Sequence, residues 1–236
     1  RATIAHQRGD RTAALALLDE HRPLVEALGD RSGHALALGE RATLEREAGD
    51  PVAALALHAE EQQLYTELGD RSGVATSLSN QGLARHALGD PAGAAALLAQ
   101  AEVIIRELDL PAMLQVTLGN RAAFLLQAGD VAGAATALAE QEAICRQTGN
   151  RVGLAACLGN QALVAQQRGD GAAMTALLTE QERICREVGD RPGLVNALGN
   201  LVTAAVAAND APGALRHLDA QLAEARQLGG AGSATV

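Results

Sequence analysis

A two-residue signature recurs every 20 residues along this chain and leaves little freedom in how it folds. Gly-Asp or a near variant stands at Gly9-Asp10, Gly29-Asp30, Gly49-Asp50, Gly69-Asp70, Gly89-Asp90, Gly129-Asp130, Gly149-Asn150, Gly169-Asp170, Gly189-Asp190 and Asn209-Asp210. Glycine takes the left-handed conformation that ends a helix, and aspartate caps the helix that follows. Each interval therefore reads as one helix. Two flavours alternate. One continues into an Ala-rich run, as in Gly49-Asp50-Pro51-Val52-Ala53-Ala54-Leu55, and the other into Arg-x-Gly, as in Gly69-Asp70-Arg71-Ser72-Gly73. The true period is thus 40 residues, two helices long. Residues 141–160 and 181–200 are identical at 12 of 20 positions, as duplication would leave them. Turns this short force consecutive helices to pack antiparallel. A single hairpin cannot bury its apolar faces alone, so hairpins stack on one another.

Composition supports the same reading. Of 236 residues 48% are hydrophobic, yet Phe124 and Tyr65 are the only Phe and Tyr and there is no Trp. The apolar content is mostly Ala and Leu, strong helix formers that allow close helix approach. The fold class expected is all-α: an α-solenoid of antiparallel hairpins in six 40-residue units, the first truncated. The repeat domain spans 1–228, with hairpins at about 1–28, 32–68, 72–108, 112–148, 152–188 and 192–228. A Gly-rich tail, 229–236, is expected to be flexible. Pro23 falls inside the first second-helix (11–28), where a kink or early break is expected. Arg1 in place of an initiating Met is expected to mark an excerpt from a longer array.

Stacking the units gives the core. Leu38, Leu78, Leu118, Leu158 and Leu198 form one column, followed a turn later by Ala42, Gly82, Ala122, Ala162 and Val202. In the second helices Ala14, Ala54, Ala94, Ala134, Met174 and Ala214 supply small residues, with Leu18, Leu98, Leu138, Leu178 and Leu218 one turn on. Leu24, Leu64, Ile104, Ile144 and Ile184 are expected to close the seam between units. Cys145, Cys157 and Cys185 read as small buried hydrophobes in a reducing compartment.

The hairpin pattern, the small-residue columns and the Gly-Asp turn resemble tetratricopeptide repeats. The 40-residue period is similar to the long-helix variety found in kinesin light chain and in bacterial signalling and defence arrays. Asn160-Gln161-Ala162-Leu163-Val164 resembles the kinesin light chain repeat. Glu180-Gln181-Glu182-Arg183-Ile184-Cys185-Arg186-Glu187-Val188-Gly189-Asp190 resembles bacterial arrays fused to nucleotidases or caspase-like proteases. The resemblance implies a right-handed superhelix whose first helices line a concave groove, and a job of holding a protein or extended peptide. One column, usually leucine in the family, departs: Arg41, Gln81, Arg121, Gln161, Leu201.

The column Glu40, Asn80, Asn120, Asn160, Asn200 is the leading candidate for ligand contact. An asparagine amide donates and accepts at once, so it can read an extended backbone whatever its sequence. By the resemblance it would be an asparagine ladder gripping a peptide; the alternative is that each Asn braces the neighbouring repeat. Just before it run Gly39, Ser79, Gly119, Gly159 and Gly199. Mid-helix glycine costs about 1 kcal/mol, so four of them imply a steric need, from a passing helix or from a ligand backbone. Leu83, Leu126 and Leu163, with Arg46 and Gln166, are expected to complete the groove.

Nothing in the sequence has the spacing of a catalytic or metal centre, and no cofactor is expected. The histidines are scattered and read as solvated, as do the pairs and triplets Glu60-Glu61, Glu140-Gln141-Glu142 and Glu180-Gln181-Glu182. The net charge of -9, with 19 basic residues that are all Arg, disfavours nucleic acid. No apolar run is long enough to span a bilayer. A cytoplasmic, non-catalytic binding scaffold is therefore expected. The alternatives are the sensor or autoinhibitory arm of a larger signalling or defence protein, and a scaffold that self-associates through its solenoid ends.

Overall fold

The computed structural model describes residues 10–232. Among them run α1 (Arg11–Leu28), α2 (Arg31–Glu47), α3 (Pro51–Leu68), α4 (Arg71–Ala87), α5 (Pro91–Glu107), α6 (Pro111–Gln127), α7 (Val131–Thr148), α8 (Arg151–Gln167), α9 (Gly171–Val188), α10 (Arg191–Ala207) and α11 (Ala211–Gly232). Even-numbered helices are the first helices of hairpins and odd-numbered ones the second. The expected helix remnant at residues 1–8 and residues 233–236 of the expected tail lie outside the described residues. α11 runs past the expected boundary at 228 to Gly232. α1 passes through Pro23 without breaking. Proline removes one helical hydrogen bond, and here it sits on the exposed side, where water can satisfy the freed Asp19 carbonyl.

The turns form as the Gly-Asp signature demands. Gly29, Gly49, Gly69, Gly89, Gly129, Gly149, Gly169 and Gly189 all have φ between 63° and 88°. The residue after the glycine returns its N–H to a carbonyl five residues back, as from Asp70 to Tyr65 and from Asp190 to Cys185, both at 2.9 Å. Its side chain then accepts from the third residue of the next helix: Asp30 from Gly33, Asp130 from Gly133, Asn150 from Gly153. The turn before α6 departs. Asp109 takes the left-handed position at φ 52°, and Leu110 stands at the cap with no side-chain bond to the helix.

The chain divides into two compact units, Arg1–Ala128 and Gly129–Val236. Within the first, each helix from α1 to α6 packs on the next; within the second, α7 to α11 do the same. The first helices also meet their counterparts across a period, α2 with α4 and α8 with α10. This is an all-helical solenoid of paired helices.

The second-helix seam extends one position beyond the expected column. Of that column Ile184 is buried and Leu64, Ile104 and Ile144 are half-buried, while Leu24 is 60% exposed. The next position is buried in four helices, at Val25, Ile105, Cys145 and Cys185. Each of these lies seven residues beyond Leu18, Leu98, Leu138 or Leu178, and two turns of helix bring it back to the same face. Position 24 is rotated by about 100° from that line. Tyr65 occupies the same seam, and its ring explains Gly73: a Cβ there would come within 2.4–2.7 Å of ring carbons.

Candidate functional site

A partly exposed stripe runs along each of four first helices. It carries Thr76, Asn80 and Leu83 on α4; Val116 and Asn120 on α6; Ala156, Asn160 and Leu163 on α8; Asn196, Asn200 and Thr203 on α10. The spacing i, i+4, i+7 keeps these residues on one face. Asn80, Asn120, Asn160 and Asn200 are all half-buried. None of the four side chains hydrogen-bonds to another described residue. A bracing role would need such bonds.

The other candidates are placed unevenly. Glu40 is half-buried on α2. Leu83 packs against the cluster of Ala94, Ala95, Leu98 and Phe124. Leu163 is 38% exposed, whereas Leu126 is 6% exposed and offers a ligand little surface. Arg46 lies 3.6 Å from Glu47. Gln166 is exposed and lines a cavity of about 270 Å³ with Met174 and Thr203.

The glycine column meets its steric need inside the hairpin. A Cβ on Gly39 would lie 2.2 Å from the Glu61 carboxylate, one on Gly159 2.8 Å from the Gln181 amide, and one on Gly199 2.6 Å from the Gln221 amide. A long polar side chain of the second helix therefore lies across the first helix at each of these three glycines. The third-unit exception fits: the hairpin of α4 and α5 has Ser79 where the others have Gly, and Ala101 where they have Glu or Gln. Bulk gained on one helix is removed from the other.

Bracing between units exists, but one residue further along. Gln81 donates to Gln62 at 2.7 Å and Gln161 to Glu142 at 2.7 Å, while Arg121 pairs with Glu102. The polar column that departs from the family thus ties each first helix to the second helix before it. The Gln161 bond, before all else, holds the Glu142 carboxyl below the usual carboxylate range. Leu201 ends the series as a buried core residue packed with Met174 and Leu178. A second set of clamps closes hairpins on themselves: Arg31 to Glu67, Arg71 to Glu107 and Arg151 to Glu187, with Arg191 donating to Gln227 at 2.6 Å.

Two groups read as solvated are in the core. His58 is 1% and Glu61 4% exposed, with His58 Nδ1 2.7 Å from the Glu61 carboxylate. Position 58 belongs to the column of Leu18, Leu98, Leu138 and Leu178, and position 61 to that of Gln141 and Gln181; following either column would have placed them. Glu60, as expected, is exposed. His86 is half-buried, stacked on Phe124 with ring centroids 4.5 Å apart, and its Nε2 lies 2.7 Å from Gln127 Oε1. His6 lies outside the described residues.

The thiols are core groups. Burial pushes Cys157 up to about 12 and Cys185 up to about 11, and raises Cys145 as well. A cavity of about 560 Å³ between α1, α2 and α3 was not legible in the sequence. It is lined by Leu18, Ala37, Leu38 and Leu57, with His34, Arg41 and Glu60 at its edges. Other first helices carry Val74, Leu114, Leu154 or Leu194 at the position of His34. Among the described residues no group of three or more His, Cys, Asp or Glu is placed to hold a metal ion. No helix among them is long and apolar enough to cross a membrane.

No protein-family model matches the chain, and no curated protein matches it in sequence. Solved structures do match it in shape. BtubC (BKLC) from P. vanneervenii is 18% identical with a TM-score of 0.80, the match covering 94% of this chain and 92% of that one. The STAND signal-transduction ATPase with a tetratricopeptide repeat sensor from Pyrococcus horikoshii is 14% identical with a TM-score of 0.79; the match covers 98% of this chain and 36% of that one. The nearly identical TPR-like repeats of a putative kinesin light chain from Podospora anserina are 19% identical with a TM-score of 0.67, covering 83% and 96%. At identities of 14–19% these likenesses establish the fold, that of a tetratricopeptide-like array of helical hairpins.

Proposed function

We propose that this chain is a non-catalytic scaffold that holds a protein or extended peptide against the exposed faces of its first helices. One observation carries the reading: Asn80, Asn120, Asn160 and Asn200 recur at one helix position, half-buried, with side chains bonded to nothing else described. Asparagine is a mediocre mid-helix residue, and the neighbouring column already supplies the braces between helices. A half-buried amide with both donor and acceptor unused is matched to a backbone that offers both. Leu83 and Leu163, with Gln166, Arg46 and Glu40, would supply side-chain contacts around the amides, and Leu126 would support them from below. The likeness to kinesin light chain repeats and to a repeat described as a sensor is consistent with such a role.

The test replaces Asn120 and Asn160 with Ala and measures capture of host proteins by the immobilised chain. Selective loss of a band by a variant that unfolds at the wild-type denaturant concentration supports the reading. Capture that does not change removes it. A second reading, the sensor arm of a larger signalling protein, is favoured by the near-complete match of this chain to about a third of the STAND ATPase. The full reading frame tests it: an effector domain in the same polypeptide supports the sensor role, and its absence dismisses it.

A further inference from the structure

We infer that a segment held on α4 and α6 in the first unit, or on α8 and α10 in the second, is uncharged, recognised through its backbone and small aliphatic or hydroxyl side chains. The inference rests on the holding role proposed above and names the chemistry of the guest.

The chain has 28 Asp and Glu residues, and none falls in these four helices. Their charged residues are arginines, each engaged in a bond already described or lying beside the cap of the next helix. Arg71 and Arg151 clamp the second helix of their hairpins, Arg191 bonds Gln227, Arg121 pairs with Glu102, and Arg85 lies 3.7 Å from the cap Asp90. The exposed stripes are left with Asn, Thr, Ala, Val and Leu. The fold does not impose this. α2 has the same place in its hairpin and carries Glu40, Arg46 and Glu47. Second helices are dense in carboxylates, so the exclusion is not a property of the whole surface.

An uncharged, half-buried lining selects its guest by what it cannot compensate. Bringing a carboxylate or ammonium against it strips water from the charge and offers no counter-charge in return. Amide and hydroxyl groups lose nothing there, because the asparagine amides replace their water partners. Aliphatic side chains gain by covering Leu163 or Val116, both exposed. An acidic or basic peptide would instead need a row of opposite charges, as charge complementarity at interfaces requires.

Selection of random peptides displayed on phage against the full chain tests this. The expected winners are depleted in Asp, Glu, Lys and Arg relative to the input library. Their affinity changes by less than about twofold between about 50 and 500 mM salt, because no ion pairs are screened. Winners rich in either charge, salt-sensitive binding, or no enrichment at all would overturn the inference. The winners are then measured on Asn160→Ala/Asn200→Ala, with helix content and unfolding midpoint as the folding control. A loss of about tenfold or more places them on the asparagine face. Charged winners that depend on the asparagines would sink the chemistry and keep the holding role. Winners indifferent to the asparagines would sink the holding role itself. As a converse arm, Asn160→Glu copies the charge that α2 carries at Glu40, and its selected pool is expected to shift toward Lys and Arg; an unshifted pool counts against the inference.

Discussion

His58 and Glu61 show how a single repeat departs from its siblings without leaving the fold. At these two positions α7 and α9 carry Leu138 with Gln141 and Leu178 with Gln181. In α3 the same space holds a His–Glu contact, buried on all sides. Removing one member of a buried polar pair strands the other, which costs about 3–5 kcal/mol, whereas replacing both with well-packed residues is often neutral or better. His58→Leu is therefore expected to lose about 3 kcal/mol in urea unfolding. His58→Leu/Glu61→Gln, which writes the sibling sequence into α3, is expected to return to wild type or above. The cysteines give a pH-dependent counterpart. A thiol whose native pKa is raised stays protonated when folded, so its contribution is full below the unfolded value near 9. That contribution is lost as pH rises toward about 11 for Cys185 and about 12 for Cys157. Native protein at pH 8 should react slowly with a chromogenic disulfide reagent at all three thiols and fully once unfolded. Fast native reaction would show that they are not core groups.

At the scale of the helix, the repeat is set by its turns and its cross-helix pairs. Every turn but one before a described helix has Asp or Asn capping the next helix through the third residue's N–H; Leu110 before α6 does not. The same turn holds Asp109 in the left-handed conformation that glycine takes at most others. Restoring the signature with Asp109→Gly and Leu110→Asp is expected to stabilise the chain by about 1–2 kcal/mol together, read as a higher melting temperature. No gain would mean that Leu110, which is half-buried, contributes as much by packing as the cap would. The clamps from Arg31, Arg71 and Arg151 are partly exposed, and each contributes little, about 0–1 kcal/mol. The Arg that opens α2, α4 and α8 has a regular use: its side chain reaches the last turn of the second helix and ties the hairpin closed.

Across the whole molecule, helices meet chiefly their neighbours in sequence, so stability is a sum of local terms. Damage at one hairpin should stay near it. His58→Leu is expected to speed amide exchange in α2–α5 by about tenfold or more while α9 and α10 change by less than about twofold. Uniform loss of protection would show instead that the array unfolds as one piece. The repeat length, the two-helix period, the caps and most of the core were legible in the sequence, because each depends on residues within one turn or one period of one another. Leu24 and Val25 mark the limit of that reading: both are apolar, and only the angle at which the next helix arrives decides which is covered. The same holds for the candidate site. The asparagine column was visible as a spacing, but whether it braced or stood free depended on Gln81, Arg121 and Gln161 taking the bracing role one residue away. The glycine column likewise announced a steric need without naming its source. Glu61, Gln181 and Gln221 supply it from about 22 residues downstream. Local hydrogen bonds and helical periodicity are written along the chain. Which side chains meet across helices, and which are thereby left facing outward, follows from how the packed helices rotate against each other, and that is settled only when they fold together.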